Sequence, residues 1–137
     1  MKLQKLIRYI VVAFGIGSML VLVIWGFIAR FIARVDTPAG LEELVSTFAF
    51  MIWNILPYIA YFFITKEIYS YYLLLPPALL LCSVQLFFII NYLTSLHSTA
   101  GLIFIFLPIF EGIVLAFGFI LGFFAEKIRN KVLKDKK

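Results

Sequence analysis

Charge is what this sequence has least of. Only 14% of its 137 residues are Asp, Glu, Lys or Arg and 64% are hydrophobic, against about 25% and about 45–50% in an average soluble domain. A soluble fold of this length could not cover so much apolar surface with so few charges, which leaves lipid as the expected solvent. The lone cysteine, Cys82, excludes an internal disulfide framework and a cysteine metal cluster. The lone histidine, His97, has no second histidine or neighbouring carboxylate with which to form a zinc site or a nucleophile–base pair. Glycine-rich phosphate loops and nucleophile motifs are also missing. The expectation is therefore a protein that is not an enzyme, with no cofactor and no metal.

The charges that are present are unevenly placed. Twelve Lys and Arg face seven Asp and Glu, but the basic excess sits in short tails beside apolar runs. No basic, aromatic-interleaved domain exists to bind nucleic acid. A hydrocarbon core of about 30 Å takes about 20 apolar residues per helical crossing, so the chain has room for four. Tyr9 to Ala29 is free of charge, as is Ile68 to Phe110, a run that fits a helical hairpin turning at Thr94-Ser95-Leu96-His97-Ser98-Thr99. The first apolar run is longer than a signal-peptide core and ends without a small-residue cleavage site, so it is read as retained. Asp36-Thr37-Pro38, followed by Glu42 and Glu43, marks the start of a second helix through capping, a first-turn proline and dipole-matched acids.

The fold class expected is an all-α integral membrane protein, with four transmembrane helices in a compact bundle of two hairpins. A single transmembrane domain covers residues 1–137, with spans at about 7–33, 42–65, 72–93 and 100–125 and a basic tail at 126–137. Counting Lys and Arg on each side gives N-in, C-in. Lys2, Lys5, Arg8, Lys66 and the six basic residues after Glu126 lie inside, whereas Arg30 and Arg34 lie outside with Asp36, Glu42 and Glu43 as ion-pair partners. Tyr9, Tyr69, Tyr71 and Tyr72 then fall at the inner interface. The expected location is the cytoplasmic membrane of a prokaryote. Besides the bilayer itself, anionic lipid headgroups are expected partners of the basic C-terminal tail.

Polar residues inside the spans carry the most information, because hydrocarbon offers them no partners. In the second span Thr47, Met51, Asn54, Tyr58, Tyr61 and Thr65 are spaced 4, 3, 4, 3, 4 and share one helical face. In the fourth span Glu111, Leu115, Gly118, Gly122 and Ala125 do the same, with Gly118 and Gly122 forming a small-residue helix-packing pair. Counting from the span ends brings Glu111, Asn54 and Gln85 to a common depth, with Ser18 near it. These residues form the expected intramembrane polar layer. Pro57 and Pro108 lack the N–H groups that would bond the Trp53 and Phe104 carbonyls and could interrupt their helices there. A charge at the bilayer centre costs about 2.5–3.5 kcal/mol on insertion scales, so Glu111 is expected to be protonated or paired.

Three functions are compatible with these features. The first is intramembrane binding to a partner protein or a second copy, as an accessory subunit or an immunity-type protein against a pore-forming toxin. The alternative is a small proton- or cation-coupled transporter or channel subunit using Glu111, with a phage holin as a third. In size and four-span plan the chain resembles the small multidrug resistance transporters. That family's essential glutamate lies in the first helix, where this chain has no acid, so the resemblance is one of architecture.

Overall fold

A computed structural model of the chain describes residues 2–32, 41–94 and 100–135. These form four helices, α1 (Lys2–Ile32), α2 (Leu41–Thr65), α3 (Tyr71–Thr94) and α4 (Ala100–Asp135). Each is long and apolar enough to cross a membrane. The ion-pair cluster expected of Arg30, Arg34, Asp36, Glu42 and Glu43, and the turn containing His97, lie outside the described residues.

The helices pack as two hairpins in a ring. α1 lies against α2 and α3, and α4 lies against α3 and α2. Across the middle, α2 touches α3, while α1 and α4 make no mutual contact among the described residues. The bundle turns large apolar side chains outward and buries polar ones beside its apolar core. Phe48, Phe63, Leu79, Phe87, Phe106 and Ile113 point outward, and Gln4, Arg8, Ser18, Asn54, Thr65, Gln85 and Glu111 point inward. With lipid outside, backbone and side-chain polar groups find partners only within the bundle.

Close approach of the helices depends on glycine. Gly15 of α1 receives the ring of Tyr58, so a Cβ there would lie 2.5 Å from the ring's Cγ. On the α3–α4 seam, a Cβ at Gly118 would lie 2.8 Å from the Pro77 nitrogen, and one at Gly122 would lie 2.5 Å from the Tyr72 carbonyl oxygen. Pro76 lacks the N–H that would bond that carbonyl. The α3 backbone therefore presents an open acceptor and a proline shoulder to the two glycines of α4.

Neither the midspan prolines nor the basic tail ends a helix. α2 and α4 run unbroken through Pro57 and Pro108. α4 continues beyond the end of the fourth span near Ala125, to Asp135. Nothing after Gly122 stops it: the segment has no proline or further glycine, Lys, Arg and Glu are good helix formers, and Lys134 suits the negative end of the helix dipole. Nine residues past Glu126 project about 14 Å.

Candidate functional site

The interior polar residues are set by the register of the helices. Along the antiparallel α3–α4 seam, Tyr72 and Pro77 meet Gly122 and Gly118, and the Phe88 and Phe110 rings lie 6.1 Å apart. This register brings Gln85 level with Glu111. Along the parallel α2–α4 seam, the Trp53 indole donates to the Ile105 carbonyl at 3.0 Å and Tyr58 reaches Glu111. Asn54 therefore sits about one turn farther from the α2–α3 loop than Glu111 does. Of the expected layer, Gln85 and Glu111 are 0% exposed and Asn54 is 2% exposed.

The three side chains do not bond one another. The Tyr58 hydroxyl donates to Glu111 Oε1 at 3.5 Å, at the long limit of a hydrogen bond. Gln85 Nε2 donates to Ser18 Oγ at 3.1 Å, and Ser18 in turn donates to the Gly15 carbonyl at 2.8 Å. Asn54 Nδ2 donates to the Phe50 carbonyl of its own helix at 2.8 Å. Glu111 Oε2, Gln85 Oε1 and Asn54 Oδ1 have no donor from the protein. The interior thus carries a surplus of acceptors on three helices. Each buried, unpaired group of this kind costs about 1–3 kcal/mol.

The α2 stripe reaches from this layer to the loop end of the bundle. Asn54, Tyr58, Tyr61 and Thr65 are buried, while Thr47 and Met51 are half-buried. Tyr61 donates to the Leu74 carbonyl at 3.1 Å, and Thr65 donates back to the Tyr61 carbonyl at 2.7 Å. Cys82 is half-buried and packs against the cluster of Val11, Tyr58, Tyr61, Ala78, Leu81 and Leu115. Among the described residues, no three His, Cys, Asp or Glu side chains come together. Gly118 and Gly122 lie inside the chain's own α3–α4 seam, so that face is not free for another molecule.

Two buried residues were not expected. Gln4 Nε2 donates to the Tyr69 carbonyl and Arg8 Nη2 donates to the Ile68 carbonyl, tying the start of α1 to the α2–α3 loop. Sequence reasoning placed Arg8 at the membrane boundary only as a topology signal. A usable signal was there: Gln4, Arg8, Val11, Gly15 and Ser18 are spaced 4, 3, 4, 3, the same inward-facing pattern as on α2. The Trp53 indole also went unforeseen. It reaches Ile105, one residue beyond the Phe104 carbonyl that Pro108 leaves unbonded.

Fold and interior define a small α-helical membrane protein with, among the described residues, one buried carboxyl in an acceptor-rich layer. No protein-family model, curated protein or solved structure matches the chain.

Proposed function

We propose that this chain is a small transporter or channel-type protein in which Glu111 takes up and releases a proton or another cation. The observation that supports this reading is the acceptor surplus around a fully buried acid: Glu111 Oε2, Gln85 Oε1 and Asn54 Oδ1 lack protein donors. A proton on Glu111 converts an acceptor into a donor, and a cation would satisfy several acceptors at once. An intramembrane acid is by default a candidate functional residue. The basic ends favour an orientation with both termini cytoplasmic.

Purified protein in lipid vesicles, with an imposed potassium diffusion potential and an internal pH dye, tests the reading. Wild type is expected to carry protons faster than protein-free vesicles, and Glu111→Gln to abolish the excess. Equal flux in wild type and Glu111→Gln, or wild-type flux no greater than the blank, would remove the proposal. Dicyclohexylcarbodiimide, which modifies protonated carboxyls in apolar surroundings, is expected to label wild type at Glu111 and to block the flux.

Partner binding is the second reading, and it rests on a different surface from the glycine face. α4 extends past its neighbours and exposes Ile128, Val132 and Leu133. Exposed apolar side chains of this kind favour a protein partner. Co-purification in mild detergent should recover one at fixed stoichiometry, and its loss on truncation after Glu126 would assign it to the extension.

A further inference from the structure

We infer that the loop end of the bundle, where α3 begins, is a binding site for a phosphate group, presented by a phospholipid headgroup or by free phosphate. Four observations converge on it. Arg8 is 5% exposed, and its guanidinium cannot lose its charge. One of its nitrogens donates to the Ile68 carbonyl, yet its Nε has no partner. Ser70, immediately before α3, accepts from the Leu73 and Leu74 N–H groups through its carbonyl at 3.2 and 3.1 Å, but its hydroxyl is buried and unpartnered. The third observation is the start of a 24-residue helix, whose first N–H groups and dipole favour an anion. Lastly, the Arg129 guanidinium lies 5.2 Å above the ring of Tyr72, the second residue of that helix.

A buried charge without a counter-charge is costly, and removing such a cost is what a ligand does. The nearest acids in sequence, Glu67 of the loop and Glu126 of α4, form no ion pair with Arg8 or Arg129 among the described residues. A phosphate group at this end has oxygens to accept from Arg8 Nε and from the Ser70 hydroxyl, the two unpartnered donors, and the planar guanidinium suits phosphate geometry. Gln4 Oε1, an acceptor without a partner, is the one atom of the group that an anion leaves unsatisfied. This site differs from the exposed lysines of the basic tail: it uses the buried Arg8 guanidinium and a helix start, and of the tail only Arg129 stands beside it.

Native mass spectrometry of the full-length protein in detergent, titrated with dioleoylphosphatidylglycerol, tests the inference. Wild type is expected to retain one lipid most tightly, and Arg8→Gln to weaken that first binding step about tenfold, the size of one charge-assisted hydrogen bond. Replacing Lys127, Lys131 and Lys134 together with Gln is expected to leave the first step unchanged. Equal first-step affinity in wild type and Arg8→Gln, or a loss confined to the lysine variant, would overturn the site. Should Arg8→Gln fail to fold, Arg8→Lys and Ser70→Ala decide the matter. Each should show a smaller lipid-induced rise in unfolding temperature than wild type, and an undiminished rise in both would overturn the site. Competition with inorganic phosphate identifies the source within a supported site: displacement of the lipid assigns free phosphate, and retention assigns the headgroup.

Discussion

Glu111 keeps one carboxyl oxygen near the Tyr58 hydroxyl and leaves the other without a protein donor. The protonation state of the acid decides what its substitutions do. If the acid is neutral at rest, Glu111→Gln is close to isosteric, still accepts from Tyr58 and still supplies a donor. It should hold stability within about 1 kcal/mol. Glu111→Leu strips Tyr58 of its acceptor and should cost about 1–3 kcal/mol. Unfolding titrations in mixed micelles measure both, and a Gln variant as unstable as the Leu variant would mean a charged carboxylate with a cationic partner. The burial of Glu111 was legible in the sequence because a charge in a long apolar run must find protein. Its partner was not, because Tyr58 stands on another helix and only the α2–α4 register brings the two together. The burial of Arg8 was missed for a related reason: a basic residue at a span end satisfies the topology rule whether it faces water or the bundle.

At the scale of the helices, the glycines separate packing from propensity. Gly118 and Gly122 stand against α3 backbone, which cannot swing aside as a side chain can, whereas a Cβ at Gly112 meets nothing within 4 Å. Gly118→Ala and Gly122→Ala should therefore each lower stability by about 1–3 kcal/mol, the usual cost of overpacking. Gly112→Ala should be neutral or stabilising by up to about 1 kcal/mol, since alanine is the better helix former. The same micelle titration compares them, and equal behaviour of Gly118→Ala and Gly112→Ala would contradict the close α3–α4 approach. The presence of four helices could be read from the lengths of the charge-free runs. The end of the fourth span is not the end of α4, because a change from apolar to basic residues marks where lipid stops, and the backbone needs a glycine or proline to stop with it.

At the scale of the whole molecule, four crossings put both termini and the α2–α3 loop on one side, and the distribution of Lys and Arg decides which side that is. Lys2, Lys5, Lys66 and the basic end of α4 share it, and the membrane potential and anionic lipid both favour holding such groups in the cytoplasm. Cys82 is the only native thiol, so Cys82→Ser gives a background in which a single cysteine can be placed at Lys2, Lys66 or Lys131. Each is expected to react with a membrane-impermeant maleimide in inverted membrane vesicles and to resist it in intact cells. Opposite sidedness for Lys2 and Lys131 would deny an even number of crossings. Labelling of all three in intact cells would keep the bundle and reverse its orientation. That reversal would matter for the interior as well. The buried side chains Tyr58, Tyr61 and Thr65 run from the level of Glu111 toward the loop end, and on the opposite side of that level the described buried side chains are the polar Asn54 and the apolar Met19, Ile89 and Leu107. Under the proposed function, the longer row of buried hydroxyl side chains next to Glu111 lies on the side of the termini, so the labelling result also assigns that row to one face of the membrane.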